Sequence, residues 1–289
     1  MPRFKTIKVA ALNIKTQPHS QHQYIKLFND SYGIKDPNRI RSSDWGIIGS
    51  VHEDEGHDNV KILRGFIYRY LNIDPKAPWL NLENITPIDE KDPEKPPIIP
   101  NHLKPNLKTI PYIFYPSFHR FFFDSKNITP GDMKHLVSSV FKHDKILKNY
   151  GIVDVTIETT REAIAKILAI PRLTKLNIIF SRPNDDDLGP LEQRLIERID
   201  QQRIRRLEQN ATSTDPQGIN ADEETKAFMK IARSNGSVYA KGYAGDQKIE
   251  ISTVDHPVIG LTSYNPDLET DYDALLETSQ QMLPDIIRE

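Results

Sequence analysis

After residue 150 the hydrophobic pattern keeps switching between a two-residue and a 3.6-residue period, so the chain has to pack strands and helices together. Val153 to Ile157 reads as a strand. Thr159 and Glu162 box the start of a helix running to Ala169, and Pro171 forbids its continuation. Leu173 to Phe180 is the next strand, and the acids Asp185 to Asp187 open a long helix through about Gln209. Asn220 with Glu223 starts another helix, which Asn235-Gly236 ends as a left-handed stop. Val238 to Tyr243 and Lys248 to Ser252 then turn on each other at Gly245-Asp246. The order β-α-β-α-α-β-β predicts an α+β fold, with mixed or antiparallel sheets packed against helices, rather than a doubly wound nucleotide fold. Neither GxGxxG nor GxxxxGK[ST] occurs, so no standard phosphate-cradling loop is expected.

The first half adds further elements. Ile7 to Ile14 is mostly apolar and too short for a helix, which predicts a buried strand. Ser20 and Gln23 form a capping box ahead of Tyr24, Leu27, Phe28 and Tyr32 at helical spacing. Trp45 to Val51 and Val60 to Leu71 read as strands joined by the acidic loop HEDEGHDN. Ile85 to Pro105 carries six prolines and little periodicity, as a linker or surface excursion does. Ile110 to Phe123 predicts an aromatic hairpin around Pro116-Ser117. Thr129 caps a helix with Pro130 at its first position and Asp132 at the positive end of its dipole. Its apolar stripe is Met133, Leu136, Val137, Val140, Phe141 and Leu147, and Gly151 closes it.

At 289 residues the chain is one large or two modest domains. The expected division is a basic α+β region over 1–150, with the Pro-rich excursion at 85–105, and an α+β region over 151–289 with a long Arg-rich helix and an acidic tail. The first carries 22 Lys/Arg against 16 Asp/Glu and the second 16 against 24, so a net charge of -2 hides opposite halves. The absence of cysteine excludes disulfides, thiolate metal sites and cysteine nucleophiles. No apolar run approaches the roughly 18 residues a membrane span needs, and the start lacks a secretory h-region. A soluble, cytoplasmic protein with no membrane span is expected.

Four clusters carry possible chemistry. Lys134, Ser138, Lys142 and Lys145 are spaced to line one face of the Thr129 helix, with Lys148 adjoining and Arg120 in the hairpin before it. Lysines there would track phosphates while Tyr112, Tyr115 or Phe118 stacked on bases; an ordinary polar face and an aromatic core are the alternative. The long helix offers Arg194, Arg198, Arg203, Arg205 and Arg206, whose forks match phosphate, or which lace a solvated or dimer-forming helix. His52, Glu53, Asp54, Glu55, His57 and Asp58 are metal-ligand types, yet a solvated turn contains the same residues, and no metal or cofactor is assigned. Asp74, Glu83 and Lys76, or Asp154, Glu158 and Lys166, would serve a metal-dependent nuclease, on availability rather than spacing. The tail from Tyr264 holds seven acids and only Arg288 as a base; it either folds over the basic half as an autoinhibitor or completes the fold.

As a set, several segments look familiar. WLNLENITP after YLNIDP, then NHLKPNLKTIPYIFYPSFHRFFF, ILAIPRLTKLNIIFSRPNDDDL, DEETKAFMKIARSNGSVYAKG and STVDHP resemble the bacterial and prophage family called domain of unknown function 4747. The resemblance spans nearly the whole chain; it implies a setting in mobile elements and phage-defence islands and transfers no catalytic residue. A looser, fold-level similarity of Ile167 to Asn184 is to the phage lambda Rex exclusion protein and the Kiwa defence protein KwaB, which implies a DNA-associating, dimeric sensor. The acidity of the second half sits poorly with an extended DNA footprint there. The favoured expectation is a non-catalytic phage-defence protein that binds nucleic acid, DNA before RNA, through Arg120, Lys134, Lys142, Lys145, Lys148, Arg194, Arg198, Arg205 and Arg206. A homo-oligomer and a second defence component are its expected partners. The alternatives are a metal-dependent nuclease effector and a protein-interaction adaptor that uses the aromatic hairpin.

Overall fold

The computed structural model describes residues 4–56, 60–74, 77–88, 100–183 and 190–287. Its centre is the strand β1 (Lys5–Lys15). Along one edge β1 pairs first with β15 (Ile259–Tyr264) and then with β10 (Asp154–Ile157); along the other it pairs with β9 (Arg120–Asp124). The sheet continues through β8 (Lys108–Tyr115), β5 (Lys61–Leu71), β3 (Asp44–Ile48) and β2 (Asn38–Arg41), with β4 (His52–Glu55) also on β5. Every pairing recorded is antiparallel, and the predicted aromatic hairpin is β8–β9. A small hairpin, β6 (Trp79–Asn81) with β7 (Thr86–Ile88), takes in the start of the Pro-rich stretch, of which residues 89–99 lie outside the described residues.

Alternation along β1 decides what covers the sheet. Ala10, Leu12 and Ile14 face a core completed by α1 (Gln21–Ile34), α2 (Pro130–Phe141) and α3 (Asp144–Tyr150). Ile7, Val9 and Ala11 face a second core under α7 (Asp271–Ile287), which buries Leu275, Met282, Leu283 and Ile286. Both faces are therefore covered, which is why the strand reads as a nearly unbroken apolar run. The tail is thus an integral layer of the fold, the second of the two readings open to it. Pro284 sits inside α7 without ending it.

A second, four-stranded antiparallel sheet has the order β12 (Arg206–Thr212), β11 (Arg172–Ser181), β13 (Gly236–Ala244), β14 (Gln247–Ser252). It packs on α4 (Arg161–Leu168), α5 (Pro190–Gln201) and α6 (Glu223–Asn235) around Leu176, Ile178, Phe180, Ile196, Phe228 and Met229. The α+β expectation holds. Residue 150 is no boundary in this architecture, because β10, β15 and α7 build on the sheet that β1 begins.

Several local expectations are corrected. The Thr129 helix does not run to Gly151: α2 stops at Phe141, extended His143 starts α3, and its Nδ1 accepts from the Lys145 amide. The Arg-rich helix ends at Gln201, and Arg203 has φ 57°. Arg206 to Thr212 alternates exposed with half-buried residues and pairs with β11, so the two-residue period of Leu207, Gln209 and Ala211 wins. The cap of α6 is Asp222 rather than Asn220. Gly236 is extended, with φ −178°, and opens a strand where a left-handed stop was expected. It is glycine for closeness: a Cβ there would lie 1.8 Å from the Ile179 carbonyl oxygen.

Candidate functional site

The last part of β1 departs from its own pattern. Asn13 and Lys15 continue the Ile7, Val9, Ala11 face, yet both are polar and only 2% exposed. They run past α7 and meet the second sheet where α6 passes into β13 and β11 ends. Asn13 Nδ2 donates to the Ser234 carbonyl at 3.1 Å and to Asn235 Oδ1 at 3.2 Å. Lys15 Nζ donates to Asn235 Oδ1 at 2.7 Å, the Arg182 carbonyl at 2.8 Å and Ser181 Oγ at 3.3 Å. That uses all three donors of an ammonium group.

The same junction satisfies the end of α6. Thr156 Oγ1 donates to the Ser234 carbonyl at 2.5 Å and Thr159 Oγ1 to the Arg233 carbonyl at 2.8 Å. Side chains of the first sheet thus cap carbonyls that a helix C-terminus leaves open. Beside them Arg120 Nε lies 2.8 Å from Glu158 Oε1, each side chain 1% exposed, and Ser234 Oγ donates to Glu158 Oε2 at 2.7 Å. Burial drives the Lys15 ammonium down from 10.5 to about 7; Arg120 and Arg182 push the same way, and Asp154 and Glu158 resist.

The expected basic residues scatter around this junction. Lys134 is half-buried on α2, and its pKa is lowered first by burial and then by Arg206. The structure therefore brings one lysine of the Thr129 segment within electrostatic reach of one arginine of the Arg-rich segment. Next to Arg206, Arg205 Nη2 reaches Asp154 Oδ1 at 3.0 Å. Besides Glu158, carboxylates around the junction include Asp154, Glu208 near Arg206, and Asp200, which Arg182 holds through Nε at 2.6 Å and Nη2 at 2.9 Å. Lys142 caps α2, while Lys145 and Lys148 stand on α3; all three are exposed, but they do not form one helical face with Lys134. Arg194 and Arg198 are exposed on α5, with Arg198 paired to Glu224 at 2.9 Å.

Arg120 is the clear correction. Its guanidinium is buried against Glu158, so it is withdrawn from any nucleic-acid surface. The aromatic hairpin is corrected likewise, because Tyr112 and Tyr115 are buried in the two cores and offer neither a stacking platform nor an adaptor patch. For the nuclease alternative, Asp154 and Glu158 each face an arginine. Among the described residues no three His, Asp or Glu side chains are grouped to hold a metal ion. His57 and Asp58 lie outside those residues, as does Lys76, and Asp54 pairs with Arg64 at 2.9 Å. Sequence reasoning missed Lys15, Asn13 and Asn235. The available signal was their phase: Asn13 and Lys15 continue a buried two-residue period.

Fold and junction define a two-sheet α+β protein whose halves are joined by a buried, charged polar seam with a basic rim. This chain belongs to the family described as domain of unknown function (DUF4747), whose model matches residues 5–280. No curated protein matches the chain. Among the described residues no helix is long and apolar enough to cross a membrane.

Proposed function

We propose that this protein binds nucleic acid, DNA before RNA, at the rim of the inter-sheet junction and without cleaving it, as part of a phage-defence system. One observation carries the reading: Lys134 and Arg206, from basic segments far apart in the chain, lie close enough for the charge of Arg206 to act on Lys134. Neither has an ion-pair partner within 4.0 Å among the described residues. Cations gathered in this way are what a phosphate diester would neutralise, although Glu208 also acts on Arg206. Arg205 and the exposed Lys142, Lys145 and Lys148 extend the positive surface, and the family's mobile-element setting suits a defence role. Arg194 and Arg198 form a separate candidate surface on α5. A homo-oligomer, and a second defence component engaged by the bound form, complete the proposal.

The test is a salt series of duplex binding on Lys134→Ala/Arg206→Ala, with Arg194→Ala/Arg198→Ala in parallel. Each lost phosphate contact should reduce the log–log salt slope by roughly 0.9. An unchanged slope in a folded Lys134→Ala/Arg206→Ala variant overturns this placement. Cleavage on addition of a divalent metal would favour the nuclease alternative.

A further inference from the structure

A second charged feature lies away from the junction, at the end of the large sheet where α2 begins. A depression of about 300 Å³ is lined there by Arg41, Arg69, Lys108 and Lys126, with Asp44 as the one carboxylate among its lining residues. The four cations come from four stretches of chain: Arg41 from β2, Arg69 from β5, Lys108 from β8, and Lys126 from the turn after β9. Arg69 and Lys108 are register partners on neighbouring strands, and Arg41 and Lys126 join them from separate stretches, which a solvated row of charges on one element does not do.

Of the two guanidiniums, Arg69 is held in place. Arg69 Nη2 lies 2.6 Å from Asp44 Oδ2, and its Nη1 donates to the Asn127 carbonyl. Arg41 Nε lies 3.6 Å from the same Asp44 oxygen, and its Nη1 lies 3.7 Å from Asp132 Oδ2. A guanidinium carries five donors in a rigid plane, so Arg69 is fixed with donors to spare, while the exposed Arg41 is only loosely drawn to the two carboxylates. Lys108 and Lys126 are exposed at the mouth, and Asn106 adds an amide to the lining. Asp44, Asp132 and Asp124, whose Oδ1 accepts from the Lys126 amide, oppose the four cations, so the hollow stays net positive.

We propose that this depression is an anion site for a phosphomonoester, either a free nucleotide or the phosphorylated end of a nucleic-acid strand. A terminal phosphate carries close to two negative charges near neutral pH and three strong acceptor oxygens, which donors converging from several elements can share. A backbone diester carries one charge and must leave on both sides, which suits the open rim of the junction better than a hollow ringed by cations. The site stands independently of the nucleic-acid reading of that junction.

Calorimetric titration of the full chain with AMP, adenosine, inorganic phosphate, and a short oligonucleotide with and without a 5′-phosphate tests it. The reference proteins are Lys108→Ala/Lys126→Ala, whose side chains are exposed, and Lys134→Ala/Arg206→Ala. The proposal expects AMP or the phosphorylated oligonucleotide to bind more tightly than its unphosphorylated counterpart. That preference should fall about tenfold or more in Lys108→Ala/Lys126→Ala, one charge-assisted contact being worth that much, and persist in Lys134→Ala/Arg206→Ala. Binding of AMP alone identifies a nucleotide site, and binding of the phosphorylated strand alone identifies an end-recognition site. Equal binding of adenosine and AMP with no preference for the phosphorylated strand overturns the proposal. So does a phosphate preference that survives Lys108→Ala/Lys126→Ala or is lost only in Lys134→Ala/Arg206→Ala.

Discussion

Lys15 makes stability depend on pH in a way that can be measured. Its ammonium is buried in the seam and titrates near 7, against 10.5 for an ordinary lysine. Between those values the unfolded chain holds a proton that the native chain has released. The unfolded state binds more protons, so stability rises with pH across this window and is flat below it. From pH 7 to pH 9 the Lys15 contribution amounts to about 2 kcal/mol in favour of the native state. Lys15→Met keeps most of the stem but cannot titrate. It strands the Asn235, Arg182 and Ser181 acceptors, which lowers the baseline without adding a slope. Urea unfolding of both proteins at pH 7, 8 and 9 isolates the term, because every other titrating group is common to the two. Wild type should gain about 2 kcal/mol on the variant over that range. Parallel pH profiles would refute the reasoning and mean that the three hydrogen bonds keep the ammonium charged.

Other expectations concern the same framework. Glu158→Gln leaves the Arg120 guanidinium buried without its counter-ion and should cost about 3–5 kcal/mol by chemical denaturation, whereas Arg120→Met/Glu158→Leu should recover much of that; equal losses in the two would show the seam to be limited by packing rather than charge. Removing residues 271–287 uncovers the second face of the large sheet and forfeits burial of Leu275, Met282, Leu283 and Ile286, on the order of 6–12 kcal/mol. That is comparable with the whole stability of a domain, so the truncated chain should lack a cooperative melt; a normal melt would show α7 to be dispensable.

What the sequence made legible was whatever depends on a local period or a cap. Ser20 accepts from the Gln23 amide, Thr129 from the Asp132 amide, and Gly245 turns the β13–β14 hairpin at φ 59°, each where the pattern places it. What stayed hidden depends on partners distant in sequence. Arg206 to Thr212 continues a helical-looking charge pattern and becomes a strand only because β11 offers it an edge. Arg120 looks like a surface cation until Glu158 is placed beside it, and Asn235-Gly236 looks like a helix stop until the Ile179 carbonyl is seen to crowd Gly236. The resemblance to the family was legible because it spans nearly the whole chain, whereas the seam depends on contacts between residues distant in sequence, from Thr159 and Arg233 to Lys15 and Ser181.

The position of β1 has a kinetic consequence. The strand nearest the N-terminus is the hub of the large sheet, yet its neighbours are β9, β10 and β15, and its second face is closed by α7. During synthesis it therefore emerges long before any of the strands that flank it. Local pieces such as the β8–β9 hairpin and α2 can form early, but the hub must wait, with Ile7, Val9 and Ala11 exposed, until the last strand and helix arrive. High sequence separation between partners slows folding and prolongs exposure of sticky strand edges. Chaperone dependence of the nascent chain, and loss of soluble product from any premature stop before α7, follow from where one strand sits.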